Sequence, residues 1–555
     1  MKRILFLACT LIMVAGTSLH AQTPAVKKAA QSVFTLTTFD KSGNIVGMSH
    51  GVFTGSQGEA LAMWTPFVGA DSAIVTDSKG VTMAVDALLG VNDIYDICKF
   101  RVKGKTVPVA GMAGSAAKGS KAWIVAYSVK KPEMQHVAIQ DTEAFMDSLT
   151  YYLFDDNDVS STSLGCPIVN DQGQLLGIMQ RPKNGGRAFS TDARLSATLR
   201  LSALSINDNT LRKCGIRTAL PSKSSDAVVT LMLASQRGDS ALYARYIDEF
   251  ITTFPALPDG YNAKGEQEMV AGNYANAARN METAIKVAEN KDEAHYNYAN
   301  LIYRKEVYVP EPKYKDWSLD KALQEAEAAY AINSLPVYKH LQGKIIYAKG
   351  DYQQAYDTFM SLTSTNLRGG ELFYEAAQCR RQLNAPAEEI IQLLDSAVSA
   401  QPNDATAAPY ILERGMAYDK AGKQRKAFID YCAYDSLMRG RASHSFYYMK
   451  FQCENKIRLY QQALNDIAHA IVLNRTEPTY YAEMASLQLK VGQYEQAIKT
   501  TDLALQLTDK YSDLYIIRGV CFGEMSKTEE ALQALQKAKE LGDERADELI
   551  SKYQK

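Results

Sequence analysis

The sequence predicts a multidomain protein in which an all-β region is followed by an all-α region. Short apolar runs rich in Val, Ile, Thr and Tyr, separated by Gly turns, fill residues 31–206, and this pattern is typical of β-strands. From residue 224 onward, apolar residues recur at helical spacing almost without interruption. The segment 220–225 contains a proline and several serines, so it is the predicted joint between the two regions.

Length and charge limit the classes of function. The chain has 555 residues, of which 46% are apolar, and this is enough for two or more domains with their own cores. The formal net charge is −1, so no nucleic-acid partner is predicted. Beyond the first residues, no stretch approaches the roughly 20 apolar residues that a membrane span needs, and we predict no span.

The first 21 residues predict a signal peptide. Lys2 and Arg3 precede an apolar stretch over residues 4–17, and a cleavage region ends at Ala21. Because this order is that of a secretory signal, we expect an exported chain that is periplasmic or associated with the cell envelope. A lipoprotein signal with Cys9 lipidated is the alternative, which the short spacing from Arg3 disfavours.

Metal and cofactor motifs are missing from the sequence. It contains no HExxH, no GxxxxGK and no CxxC pair, so we predict no cofactor and no metal site. The cysteines beyond residue 21 are expected to be small buried hydrophobes. They are Cys98, Cys166, Cys214, Cys379, Cys432, Cys453 and Cys521.

The most informative stretch of the β region is residues 161–178, which read STSLGCPIVNDQGQLLGI. A Gly-x-Pro turn enters an apolar strand, and a Gln-Gly turn leads into a second one. This segment resembles the nucleophile segment of trypsin-like serine proteases of the HtrA type, whose pattern is GxSGGP. The resemblance implies a double β-barrel fold, and it aligns Leu164 with the nucleophilic serine and Thr162 with a glycine of the oxyanion hole.

Two further segments carry the same resemblance. Residues 58–75 align without gaps on the segment that holds the catalytic histidine, and Thr65 occupies that position. Asp96 begins a segment similar to the one that carries the triad aspartate. The resemblance thus implies a degenerate triad of Thr65, Asp96 and Leu164. Acyl transfer needs a nucleophile and a base, and because Leu164 and Thr65 supply neither, we expect no peptidase activity.

Four other residues of the β region could in principle replace the missing catalytic groups. Cys166 lies two residues beyond the nucleophile position and Ser163 one residue before it, while His50 and His136 are the histidines of the β region. The sequence favours a buried small residue for Cys166 and ordinary strand positions for both histidines. An active trypsin-like serine peptidase whose helical region recruits substrate stays open as the alternative.

Small residues recur at fixed spacing in the helical region. Ala463, Ala497 and Ala531 lie 34 residues apart, and Gly-x-Tyr turns repeat between predicted helices. The pattern resembles the tetratricopeptide repeat, which implies helix pairs stacked into a superhelix. We predict a trypsin-like pseudoprotease domain over residues 22–220, a linker and leading helix pair over 221–257, repeats over 258–545 and a capping helix over 546–555.

The repeat resemblance also implies a ligand-binding groove. In such repeats the first helix of each pair lines a concave face, at fixed offsets from its small residue. Applied to three units, these offsets select Tyr296, Asn300, Tyr303, Arg304, His340, Lys344, Tyr347, Tyr448, Gln452, Asn455 and Lys456. In the unit that supplies the last four, Phe451 holds the small position. Aromatic and polar side chains of this kind suit a peptide or protein ligand.

The sequence therefore favours an exported, non-catalytic interaction or scaffold protein of the bacterial cell envelope, with a protein or peptide partner in the groove. A third interpretation makes the β region a structural cap on the helical repeats.

Overall fold

The computed structural model describes residues 22–128, 131–146, 148–182, 186–401 and 405–554. The predicted signal peptide and Cys9 lie outside the described residues. The chain divides into two compact units, Met1–Ala288 and Glu289–Lys555. Among the residues described, no helix is both long and apolar enough to cross a membrane.

The first unit begins with a closed six-stranded antiparallel barrel. Its elements are α1 (Pro24–Ala29), β1 (Val33–Phe39), β2 (Ile45–Phe53), β3 (Glu59–Ala62), β4 (Ser72–Asp77), β5 (Thr82–Asn92) and β6 (Ile97–Val102). The strands follow the order β1-β2-β3-β6-β5-β4 around the barrel. Alternate side chains of each strand point inward, and Phe34, Phe53 and Phe100 fill the interior with ring centroids 4.6 and 5.9 Å apart.

A seven-stranded antiparallel sheet follows the barrel. Its strands are β7 (Lys121–Ser128), β8 (Lys131–Ala138), β9 (Asp141–Phe145), β10 (Leu149–Leu153), β11 (Pro167–Val169), β12 (Leu175–Gln180) and β13 (Phe189–Asp192). They are ordered β8-β7-β11-β12-β13-β10-β9. Every residue of the inner strand β12 is buried, so this strand is covered on both faces.

Four helices complete the first unit: α2 (Ser224–Ser235), α3 (Ser240–Thr253), α4 (Pro258–Val270) and α5 (Tyr274–Val287). Helix α3 is joined to the barrel by an ion-pair network. Arg101 of β6 lies 2.7 Å from both Asp86 of β5 and Glu249 of α3, and Arg217 lies 3.0 Å from Asp86. The Tyr246 hydroxyl donates a hydrogen bond of 3.0 Å to the Thr218 carbonyl oxygen. These helices therefore group with the β region.

The second unit is helical. Its helices are α6 (Lys291–Tyr308), α7 (Leu319–Ile332), α8 (Pro336–Lys349), α9 (Tyr352–Leu362), α10 (Gly370–Gln382), α11 (Ala387–Ser399), α12 (Ala408–Lys420), α13 (Gln424–Met438), α14 (His444–Lys456), α15 (Tyr460–Leu473), α16 (Pro478–Lys490), α17 (Tyr494–Leu505), α18 (Ser512–Glu524), α19 (Thr528–Glu540) and α20 (Arg545–Tyr553). The predicted order of a β region and then an α region is confirmed.

The recurrent small residues lie where the two helices of a pair approach each other. A Cβ atom added to Gly343 of α8 would be 2.6 Å from the Phe359 ring of α9. One added to Gly415 of α12 would be 2.8 Å from the Tyr431 ring of α13. Contacts under about 3 Å are steric clashes, so the repeat of small residues follows from close helix packing.

Candidate functional site

The structure brings together two of the three positions that the protease resemblance selects. Thr65 begins a single 3-10 turn after β3, and Asp96 lies directly before β6 with a left-handed φ of 50°. The Thr65 backbone N–H and hydroxyl both donate to Asp96 Oδ1, at 2.6 and 2.9 Å. The Trp64 N–H donates to the Asp96 carbonyl oxygen at 3.2 Å. The carboxylate of Asp96 thus fastens the turn at Thr65 to the start of β6.

Leu164 occupies a turn that packs against β2. Its backbone is extended and its side chain is half-buried. The following residue, Gly165, has a φ of +79°, and a Cβ atom there would be 2.2 Å from Ser49 Oγ and 2.8 Å from the His50 carbonyl oxygen. Only glycine fits these two constraints. The leucine side chain has no group that can attack a carbonyl carbon.

Gln180 links the two turns, and the sequence analysis did not identify it. This buried side chain at the end of β12 donates to the carbonyl oxygens of Tyr95 and Asp96, at 2.9 and 3.2 Å, and accepts from the Thr191 hydroxyl at 2.7 Å. The neighbouring Met179 carbonyl oxygen accepts a bond of 2.9 Å from the Gly165 N–H. The sequence did offer a signal for this role, because Gln180 ends an otherwise apolar strand.

The replacement nucleophiles are buried in the same turn. Burial raises the pKa of the Cys166 thiol to about 12, and its Sγ lies 3.8 Å from the Thr162 carbonyl oxygen. A thiol with this pKa is protonated near neutral pH and is a poor nucleophile. Ser163 is 4% exposed, and its hydroxyl lies 3.1 Å from that of Ser160. On the edge strand β8, the ring of His136 packs edge-on against Trp123 of β7, 5.0 Å away.

The predicted groove residues of the second unit begin on α6 and α8. The Tyr296 ring of α6 lies 5.1 Å from the Tyr338 ring of α8. His340 Nε2 lies 2.6 Å from Glu375 Oε2 of α10. Tyr303 is buried, whereas Asn300, Arg304, Lys344 and Tyr347 are partly exposed. These helices therefore present a mixture of aromatic, cationic and amide groups.

The predicted groove residues of α14 contact the helices before and after their own pair. Lys456 Nζ lies 2.9 Å from Asp419 of α12. The Tyr448 hydroxyl donates to Glu483 of α16 at 3.4 Å. Of the two other members, Gln452 is exposed and Asn455 is partly exposed. Asn455 accepts a hydrogen bond of 3.4 Å from Lys490. Phe451, at the small position, is buried in the core.

These contacts share a spacing. The residue pairs 340 and 375, 419 and 456, 448 and 483, and 455 and 490 are separated by 35 to 37 residues. Each contact joins the first helix of one pair to the first helix of the next. The structure therefore places the predicted residues of α8 and α14 along one row of helices, which runs through α8, α10, α12, α14 and α16.

Helix α10 supplies members of this row that sequence reasoning missed. The Tyr374 ring lies 5.2 Å from the Tyr410 ring of α12, and Arg381 forms an ion pair with Glu413 of α12. A signal was present, because Ala377 follows Gly343 by 34 residues. The same offsets, counted from Ala377, select Tyr374 and Arg381.

Comparisons with known proteins do not identify a family for this chain. No family model matches the chain, and no curated protein matches it. One of the solved structures that it resembles is an HtrA-type protease with tripeptide, at 18% sequence identity and a TM-score of 0.27. The match covers 31% of this chain and 60% of that one, so the chain spans less than two thirds of the matched structure.

Proposed function

We propose that this chain is an exported, non-catalytic binding protein of the bacterial cell envelope. Residues 22–220 form a trypsin-like pseudoprotease domain in which the barrel and the second sheet are the two β-barrel units. Residues 258–545 form tetratricopeptide repeats whose concave face binds a peptide or protein. The observation that carries the proposal is the pairing of Thr65 with Asp96, beside a turn that offers Leu164 in place of a nucleophile.

The chemistry of that pair supports a loss of catalysis. In a working triad the aspartate orients a histidine, and the histidine takes the proton of the nucleophile. Here Asp96 Oδ1 accepts from the backbone and hydroxyl of Thr65, and a threonine hydroxyl is no base near neutral pH. Removing the nucleophile and the base costs on the order of a millionfold in turnover.

The helical arrangement supports the binding half of the proposal. Among the described residues, helices α4 to α19 form eight consecutive pairs of similar length, and α20 follows as a cap. The 34-residue spacing and the close approach at Gly343 and Gly415 are what tetratricopeptide packing requires. Tyrosines on the row of first helices give broad contact at little cost in side-chain entropy, while Lys344 provides a cation for a carboxylate.

A fluorophosphonate probe for serine hydrolases tests the catalytic half. We expect no labelling of the purified chain under conditions in which trypsin reacts completely. Labelling that disappears in Ser163→Ala would instead support the active-peptidase alternative. An iodoacetamide-type probe makes the matching test for Cys166→Ala.

Cross-linking and co-purification from envelope fractions test the binding half. We expect the tagged chain to capture a partner that is lost in the double variant Lys344→Ala, Tyr347→Ala. Lys499→Ala is the matched control, because this exposed lysine lies on α17, the second helix of its pair. Equal capture by all three chains would contradict binding through the row of first helices, and absence from envelope fractions would contradict the location.

A further inference from the structure

Three potential metal ligands converge on the row of first helices. They are His340 of α8 and Glu371 and Glu375 of α10, and one ligand atom from each lies within 4.8 Å of the other two. His340 Nε2 and Glu375 Oε2 already lie 2.6 Å apart. The sequence predicts no metal site here, because the histidine and the glutamates are separated by more than thirty residues and form no short motif.

The fold explains this convergence. Glu371 and Glu375 are four residues apart on one helix, so both side chains lie on the same face of α10. His340 comes from α8, the preceding first helix, and its ring packs edge-on against Phe359 at 5.8 Å. The packing of α8 beside α10 therefore sets the distance between the imidazole and the two carboxylates.

The negative charge at this point has little compensation from the protein. Among the described residues, the His340 ring lies within ion-pair distance of Glu375, and no Lys or Arg lies that close to Glu371. Tyr303 and Tyr410 lie near the carboxylates, and their pKa values are raised, first by burial and then in part by Glu375. These phenols stay protonated, so they add no negative charge and supply no cation.

From this geometry we infer that His340, Glu371 and Glu375 bind a divalent transition-metal ion of the zinc type. One imidazole nitrogen and two carboxylate oxygens are ligands that Zn²⁺ accepts, and three protein ligands leave a fourth position open. Tetrahedral coordination separates ligand atoms by about 3.3 Å, so the 2.6 Å contact widens by less than an ångström on binding. The two carboxylates would neutralise the charge of the ion.

A second histidine–glutamate pair in the same unit provides a matched control. His295 Nδ1 lies 2.5 Å from Glu325 Oε2, but Lys321 also pairs with Glu325, at 2.6 Å. That carboxylate is already neutralised, and no third ligand completes a group there among the described residues. His295→Gln thus removes a comparable hydrogen bond without removing a metal ligand.

Calorimetric titration of the chelator-treated full chain with Zn²⁺ tests the inference. We expect binding of one ion that weakens at least about 100-fold in His340→Gln and in Glu371→Gln, and is unchanged in His295→Gln. Because Glu371 is exposed, Glu371→Gln is expected to fold as the unmodified chain does, and circular dichroism checks this.

Cobalt spectroscopy separates this site from the cysteines. Co²⁺ bound by one nitrogen and two oxygens gives visible d–d bands without the intense thiolate-to-metal band in the near ultraviolet. Three results would overturn the inference: no binding of Zn²⁺, binding that survives in both variants, or a thiolate band. None of these measurements involves a peptide, so the metal site and the proposed groove function fail or succeed separately.

Discussion

Replacing Asp96 tests whether the retained aspartate has a structural role. Its carboxylate accepts two hydrogen bonds from Thr65, and its backbone is left-handed with a φ of 50°. In Asp96→Ala, the left-handed conformation costs an ordinary L-residue roughly 1–2 kcal/mol. Each lost hydrogen bond costs about 0.5–1 kcal/mol at this accessible position. We therefore expect the free energy of unfolding of the first unit to fall by about 2–4 kcal/mol.

Two variants isolate the contributions to that loss. Asp96→Asn keeps an acceptor oxygen and a residue type that tolerates a left-handed φ, so we expect a loss of about 1 kcal/mol. Asp93→Ala, in the same turn, removes an exposed 3.5 Å ion pair with Lys213 and an exposed 3.4 Å hydrogen bond from the Thr210 hydroxyl. Because both contacts are long and exposed, we expect a loss below about 1 kcal/mol.

Urea unfolding followed by tryptophan fluorescence measures these differences. Two of the three tryptophans of the chain, Trp64 and Trp123, lie in the first unit. The Trp64 N–H donates a hydrogen bond to the Asp96 carbonyl oxygen. If Asp96→Ala unfolds at the same urea concentration as Asp93→Ala, the structural role is refuted. The same conclusion follows if Asp96→Ala abolishes a peptidase activity without changing stability.

Three further predictions concern other parts of the chain. Gly165→Ala combines a left-handed φ of +79° with a Cβ atom 2.2 Å from Ser49 Oγ, so we expect urea unfolding to show a loss of more than about 2 kcal/mol. Gly43→Ala, where the added Cβ atom meets open space, should lose only the cost of the left-handed backbone, roughly 1–2 kcal/mol. Burial first, and then Asp466, raises the pKa of Glu454 from 4.5 to about 8, so the unfolded chain binds fewer protons at this group than the folded chain does. The contribution of Glu454 to stability is therefore full below pH 4.5 and declines as the pH rises to 8, and unfolding midpoints between these pH values should decline less in Glu454→Gln. Iodoacetamide at pH 8 should leave Cys166 unmodified in the native chain, because burial raises the pKa of its thiol to about 12. In urea the same thiol should be alkylated, and mass spectrometry measures both reactions. Equal rates of alkylation in the native and the urea-unfolded chain would contradict the burial of Cys166.

Much of the β region was predictable because its signals are local. Strand alternation and Gly turns indicated the sheets, and the protease resemblance selected Thr65 and Asp96, which the structure joins by two hydrogen bonds. Gln180 was not predicted, because its role depends on carbonyl oxygens more than 80 residues away in sequence. The ion pairs of Arg101 and Arg217 with Glu249 are equally non-local, and charged residues of this kind carry no periodic pattern that identifies a partner.

In the helical region, too, the sequence predicted local features but not contacts between distant residues. The spacing of small residues located the helix pairs, since close packing at Gly343 and Gly415 requires a small side chain. The offsets counted from those positions then placed residues on the first helices. Helix α10 was missed because its small residue, Ala377, lies in a unit with few of the other repeat positions. Glu371 and Glu375 also stand outside the offsets counted from Ala377, so the repeat pattern would not have selected them. The proximity of Glu371 and Glu375 to His340 depends on how separate helices pack, and the sequence pattern of a single helix does not predict that packing.

The turn at Gly165 has a consequence for how such chains are recognised. Its glycine is required by contact with Ser49 and His50 of β2, and its N–H is required by the carbonyl oxygen of Met179. Those demands belong to the joint between barrel and sheet, and they persist whether or not a substrate is ever cleaved. Selection for folding alone would therefore preserve the glycine and the spacing of this turn, whatever side chain stands at position 164. A turn of this outline is therefore no evidence of catalysis, and the side chains at positions 65 and 164 have to be read separately from it.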